Sequence, residues 1–312
     1  MKANAGFSVA RMTPAQLEKV QAAVIPERGP AALFLGRRAR GVDIRTTTFP
    51  ARHGDVPVRV YTPEAWSREP RPVVLVFHGG GFVLGSARQG DWSASIVAAA
   101  LDAVVVSVDY RLAPAHRFPA AVEDCYDALL WTAEHAAALG GDPSRIGVMG
   151  DSAGGNLAAV VAILARDEGG PAISHQTLIY PATDMTEAVQ EDTSVLLNTR
   201  GIVLSNDDLE IFRNHYLDPD VDPEDPRLSP QRAQDLAGLP PAIVVVAGLD
   251  PLHDSGVRYA QALADAGNEV TVVDFHRMPH GFLSFPYFSR DARPAMDAIV
   301  ASMRAALGTP SG

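Results

Sequence analysis

The sequence predicts an α/β protein: a mostly parallel eight-stranded sheet with helices on both faces and a helical cap. Three observations carry this. From about residue 42 short β-rich runs alternate with helical patterns. The middle runs are continuously apolar, as strands covered on both sides must be. Two segments, 1–40 and 185–239, fall outside the alternation. A chain of 312 residues, 47% of them hydrophobic, can bury one large core or two modest ones.

Taken in order, the first forty residues hold a helical pattern, TPAQLEKVQAAV, before any strand, and are expected to form the N-terminal part of the cap. Their deletion is expected to damage turnover or solubility more than loss of a bare tail would. Core strands are then expected at VDIRTTTF, PVRVYT, VVLVFHG, AVVVSVDY, RIGVMG and HQTLIYP, within a first core portion running over 41–184. Helices are expected at 119–138 and 153–166. The insertion 185–239 contains SNDDLEIFRNHYL, with Ser205 as N-cap, and a proline-punctuated return, DPDVDPEDPRLSP. A connection this long is usually functional, and it is read as the helical cap over the carboxyl edge of the sheet, where open α/β folds bind ligands. Strands AIVVVAG and EVTVVDF, with helices at 255–267 and 292–307, complete the core over 240–312.

Acidic residues outnumber basic ones by 37 to 26, giving a net charge of -11. Phosphate contacts need clustered Lys and Arg, so nucleic acid is excluded as a partner and a small molecule is expected instead. The single cysteine, Cys125, permits no intrachain disulfide. It lies at helical spacing with Val122, Tyr126 and Leu129, which reads as a buried, inert thiol. No segment resembles a signal peptide or reaches 18 uninterrupted apolar residues, so stable membrane insertion is not expected and a cytoplasmic location is. No H-E-x-x-H or comparable spacing suggests a metal. A homodimer is neither required nor excluded.

The stretch GVMGDSAGGN carries the chemistry. Ser152 sits between an apolar strand and a helix, flanked by Gly150 and Gly154 in G-x-S-x-G, a strained turn that lifts a hydroxyl above the sheet. A serine hydroxyl needs a base, itself oriented by a carboxylate. Asp250 follows one downstream strand and His280 follows the next. Asp254 competes with Asp250, but Asp250 lies closer to its strand end, leaving Asp254 as a cap for the helix that follows. Acyl transfer also needs donors for an oxyanion. VFHGGGF offers the amides of Gly79, Gly80 and Gly81, and Ala153 offers another at a helix N-terminus. The spacing G-G-G-F-V-L-G is not the dinucleotide pattern G-x-G-x-x-G.

HGGGF, DYRLAP, GDSAGG, DPL and HGF, in this order, resemble the bacterial hormone-sensitive-lipase-like esterases of the α/β-hydrolase superfamily, over most of the chain from about residue 42. The resemblance implies Ser152 as nucleophile, His280 as base and then acid, and Asp250 as the carboxylate that orients it. It implies oxyanion donors at Ala153 and two of the three glycines, with Gly80 and Gly81 favoured and Gly79 retained. It also implies hydrolysis of esters with short or medium acyl chains, without metal or organic cofactor. Ala115, His253 and Ser255 depart from residues common in the family and bear on loop packing and substrate preference. Hydrolysis of an amide, a lactone or an acetylated small molecule is the alternative, since one triad serves all of them. A non-catalytic ligand-binding relative is a more distant one, disfavoured by the presence of His280.

Neighbouring residues have plainer readings. Asp151, beside the nucleophile, is expected to stabilise its loop, and His78 to anchor the glycines by hydrogen bonding. Asp109, Tyr110 and Arg111 are expected to fix their own loop through a buried salt bridge. Phe82, Trp92 and Phe282 are read as core before acyl pocket.

Overall fold

In the computed structural model the described residues are Val9, 12–23, 35–199, 201 and 203–308. The remaining positions of the N-terminal segment, with Arg200, Ile202 and 309–312, lie outside them. Eight strands form one sheet: β1 (Val42–Ala51), β2 (Gly54–Pro63), β3 (Arg71–Phe77), β4 (Val104–Val108), β5 (Gly141–Asp151), β6 (Ile173–Ile179), β7 (Ala242–Leu249) and β8 (Val270–Pro279). Their spatial order is β1-β2-β4-β3-β5-β6-β7-β8. The β1–β2 and β2–β4 pairs are antiparallel, and all later pairs are parallel. The parallel portion therefore ends on one edge, where the loops after β3, β5, β7 and β8 gather.

The described helices are α1 (Pro14–Gln21), α2 (Asp91–Leu101), α3 (Ala120–His135), α4 (Ala153–Asp167), α5 (Thr193–Leu197), α6 (Asn206–Tyr216), α7 (His253–Asp265) and α8 (Ala292–Leu307). Side-chain alternation along the strands splits the core into two layers. Val73, Leu75 and Phe77 of β3 pack with α3, α4 and α7. Val74 and Val76 face the opposite way, toward α2 and α8. Every residue of β4 is buried, Ser107 included, which explains why the strand is otherwise all valine.

Two expectations needed correction. Helix α2 was not anticipated between β3 and β4, although a parallel neighbour demands a crossover and Ala94, Val97, Ala98 and Leu101 form its buried stripe. Helix α7 begins at His253, not near Ser255, so Asp254 lies in its first turn and is not an N-cap. Its carboxylate accepts the Ser194 N–H at 2.9 Å and pairs with His253, fastening α5 to α7.

Capping follows local chemistry. Thr13 and Ser205 form capping boxes at α1 and α6, each side chain accepting an N–H of the first turn while the N3 side chain answers the cap amide. The DYR loop is held by its own side chains. Arg111 makes a charge-assisted pair with fully buried Asp124 at 2.8 Å, Asp109 accepts the Ala87 N–H, and the Tyr110 hydroxyl donates to the carbonyl of His78. Cys125 is buried in α3, and burial pushes its thiol well up, so it is unreactive. No described helix is long and apolar enough to cross a membrane.

His175 on β6 is buried beside Ser302 of α8, 2.8 Å from its hydroxyl, and burial pushes its imidazole down to about 4. An unfolded histidine titrates near about 6.5, so between these values the unfolded chain holds the extra proton. Stability from this group is therefore lost as pH falls from about 6.5 to about 4. Asp151 acts in the opposite sense, since burial pushes its carboxyl up to about 6. A His175→Gln difference isolates the first effect. The wild type should lose roughly 2–3 kcal/mol more than the variant between about pH 7 and pH 4.5 in urea unfolding, and equal losses would remove His175 from the acid response.

Candidate active site

Ser152 joins β5 to α4 with φ 55° and ψ -117°, a conformation strained for any residue with a side chain. Its amide donates to the carbonyl of Ile179 at 2.8 Å, which fixes the turn against β6. The turn is tight enough that a Cβ at Gly154 would collide with the carbonyls of Phe77 and His78, so α4 can start this close to β3 only with glycine there. Although Ser152 occupies the N-cap position, its hydroxyl makes no cap hydrogen bond. It points instead to His280.

His280 Nε2 lies 2.9 Å from Ser152 Oγ, and His280 Nδ1 lies 2.7 Å from Asp250 Oδ2. Asp250 follows β7 and His280 follows β8, so two neighbouring parallel strands deliver both groups to the edge where β5 ends. A carboxylate can only accept, so Nδ1 carries the proton and donates to Asp250, leaving Nε2 to accept from the serine hydroxyl. Asp250 is fully buried, and its other oxygen accepts the Leu252 N–H at 2.8 Å, which sets the carboxylate plane. His280 is 6% exposed, with the Tyr180 ring against it at 4.8 Å and 60°. Asp254 is engaged elsewhere and takes no part.

The glycine loop after β3 shows which amides are available. Gly79 N–H donates to Asp151 Oδ1 at 3.0 Å and is not free for a substrate. The retained option of Gly79 as an oxyanion donor is thus corrected: its proton is already committed to a carboxylate. The Gly79 carbonyl accepts from His78 Nδ1 at 2.8 Å. The carbonyl of Gly80 accepts the amides of Val83 and Leu84, and that of Phe82 accepts the amide of Ala113. Among the described residues no acceptor serves the amides of Gly80, Gly81 or Ala153, and all three residues line the same cavity as Ser152. His78 and Asp151 therefore anchor the loop. Burial pushes the His78 imidazole down, in keeping with a neutral ring whose Nδ1 holds the proton. Burial also raises the Asp151 carboxyl, while the Gly79 amide and His280 pull it back.

That cavity has a volume of about 330 Å³ and is walled mainly by apolar side chains. Its lining runs from Val9 and Leu35 through the strand-end loops to Met185, Leu204, Leu209, Phe212 and Tyr216 of the segment between β6 and β7. Of the three aromatics considered from sequence, Phe82 lines it, whereas Phe282 packs in the core and Trp92 stands outside the lining. Phe82 has φ 62°, a left-handed conformation costing a non-glycine residue about 1–2 kcal/mol. Its ring is buried and stacks on Tyr216 at 4.0 Å and 4° between planes, and these contacts hold the strained residue in place.

Several residues here escaped the sequence reading. Asn156, in the first turn of α4, donates through Nδ2 to the carbonyls of Ala182 and Leu228, both at 2.7 Å, tying the two ends of the intervening segment to the nucleophile's helix. Its place in GDSAGGN was the only available signal. Tyr180, Phe212 and Tyr216 reach the site from segments whose register with it no local pattern reveals.

Comparisons with known proteins agree with this fold. A family model described as an alpha/beta hydrolase fold matches residues 74–284. The carboxylesterase NlhH of Mycobacterium tuberculosis is 40% identical over 306 residues, covering 97% of this chain and 90% of that one. The carboxylic ester hydrolase LipN of the same organism is 42% identical over 272 residues, covering 85% and 71%. A hyperthermophilic esterase from the archaeon Pyrobaculum calidifontis superposes with a TM-score of 0.86 at 38% identity, covering 97% of this chain and 94% of that one. With the shared fold, the matched core and this extent of identity, the chain belongs to the hormone-sensitive-lipase-like esterases of the alpha/beta hydrolase superfamily.

Proposed function

We propose that the protein is a carboxylesterase that hydrolyses small carboxylic esters through an acyl-enzyme on Ser152. One observation carries this: a hydroxyl, an imidazole and a buried carboxylate in hydrogen-bonded series, the hydroxyl and imidazole lining an apolar cavity together with Gly80, Gly81 and Ala153, whose amides have no acceptor among the described residues. Ser152 Oγ attacks the ester carbonyl carbon while His280 Nε2 takes its proton. The carbonyl oxygen becomes an oxyanion, stabilised by the N–H groups of Gly80, Gly81 and Ala153. The C–O bond then breaks and the alcohol leaves with the proton from His280. Water repeats the sequence on the acyl-enzyme, releasing the acid and regenerating the hydroxyl.

Asp250 keeps the imidazole in the tautomer that can accept from Ser152 and stabilises the imidazolium formed on the way. The cavity volume stands near the lower end of the range of ligand sites, about 300–1,000 Å³, which favours short to medium acyl chains. Residues 185–239, with the N-terminal 1–40, act in this reading as the cap that shapes the substrate site and excludes water. The presence of Val9, Leu35 and the α6 side chains in the cavity wall supports that role.

The test is an assay of p-nitrophenyl acetate, butyrate and palmitate beside the matching short-chain p-nitroanilides. The expected result is rapid turnover of acetate and butyrate, slower palmitate, and anilide rates lower by orders of magnitude. Comparable rates on anilides would replace the ester reading with a broader acyl hydrolase, and no turnover of any ester would refute it.

A further inference from the structure

Helix α6 lies in the segment assigned to the cap, yet two of its side chains rest on the glycine loop. A Cβ at Gly81 would collide with the ring of Phe212, and the three atoms nearest to it all belong to that ring. One turn later Tyr216 stacks on Phe82, the residue after Gly81. Gly81 and Phe82 both adopt left-handed backbone conformations, each with φ 62°. The free amide of Gly81 belongs to the peptide that enters Gly81, so the placement of Gly81 sets its direction, and Gly81 and Phe82 are each covered by a ring from the same helix face.

The helix itself is tied to the core. Phe118 N–H donates to the carbonyl of Tyr216 at 2.9 Å, Arg117 Nη1 donates to that of Asn214 at 3.0 Å, and Phe118 packs edge-on against Tyr216. The carbonyl of Phe82 meanwhile accepts the amide of Ala113 from the same core loop. Glycine loop, α6 and residues 113–118 form one packed unit. Phe212 and Tyr216 also line the substrate cavity, so they touch both the space for substrate and the backbone that would receive the oxyanion.

We propose that Phe212 and Tyr216 are positioning residues for the oxyanion donor at Gly81: the cap side chains that wall the substrate cavity also hold Gly81 and Phe82 in the conformation that aims the Gly81 amide. This rests on the ester-hydrolase reading of the site. Its consequence concerns where the energy of these contacts is realised. A side chain that only walls the pocket changes ground-state binding and hence KM. One that holds the donor acts when charge develops on the carbonyl oxygen, and changes kcat.

The experiment compares wild type with Phe212→Ala, Phe212→Leu and Tyr216→Leu, each normalised by active-site titration with a fluorophosphonate. p-Nitrophenyl acetate is the substrate, because its acyl group is too small to depend on the far wall. Binding is measured for a trifluoromethyl ketone and for the matching methyl ketone. The trifluoromethyl ketone adds Ser152 Oγ to its carbonyl carbon, its oxygen becoming the oxyanion as His280 takes the serine proton, whereas the methyl ketone serves as the neutral ground-state analogue. The expected result for Phe212→Ala and Tyr216→Leu is a fall in kcat of about tenfold or more, with the trifluoromethyl ketone weakened by a similar factor and the methyl ketone within about twofold. Phe212→Leu, which keeps a branched apolar group over Gly81, should recover most of the loss even if a more severe variant folds poorly. Values of kcat within about twofold of wild type in Phe212→Ala and Phe212→Leu, with effects confined to KM, would overturn the inference and leave the ester reading intact. A wild type that neither titrates nor turns over p-nitrophenyl acetate would overturn both.

Discussion

Replacing Ser152 by alanine should lower kcat for a p-nitrophenyl ester by on the order of 10⁵- to 10⁶-fold, with KM changed little. The serine is the only group in the arrangement able to form the acyl bond, and alanine leaves the surrounding cavity and the three amides in place. Because the side chain makes no cap hydrogen bond to α4, its loss should also leave thermal stability nearly unchanged. Steady-state kinetics and a melting curve check both statements. A variant retaining a tenth of wild-type turnover, in material free of wild-type enzyme, would contradict the assigned nucleophile.

Asp250→Asn should cost about 10⁴-fold in kcat while preserving the fold. The asparagine carbonyl can still accept the Leu252 amide that Asp250 Oδ1 now accepts, so the local loop keeps its anchor. The atom facing His280 Nδ1 then becomes an amide NH₂. A donor there favours the imidazole tautomer protonated at Nε2, which can no longer accept from Ser152. The imidazolium formed in the transition state also loses its buried counter-charge. Activity should recover poorly at any pH, because the fault is tautomeric and electrostatic and is not a shifted titration. Measuring kcat across about pH 6 to 9 tests this. A variant within about tenfold of wild type would mean that the carboxylate does not orient the base.

The strands and the residues that meet at the site were legible because each depends on short-range chemistry. A serine between glycines at a strand–helix junction, and an aspartate and a histidine each directly after an apolar strand, sit where a parallel sheet must bring them together. Helix α2 was missed although its stripe is present, because the glycine- and serine-rich approach before it reads as loop and its face is built of small residues. Asp254 was misassigned because capping depends on the starting residue of α7, and boundaries are the least determined part of a helix read from sequence. The status of Gly79 turned on one hydrogen bond to Asp151, 72 residues away. Phe212 over Gly81 and Asn156 beneath Ala182 and Leu228 are likewise contacts between distant segments, and no periodicity within either segment encodes them.

The most direct test of the central claim is the location and stoichiometry of a fluorophosphonate adduct. The reagent phosphonylates an activated hydroxyl with loss of fluoride, and its product does not deacylate on the time of the assay. The account predicts one adduct per chain, on the peptide containing Ser152, with esterase activity falling in proportion to labelling and no adduct in Ser152→Ala. An adduct on another residue, or activity that persists in fully labelled protein, would contradict it.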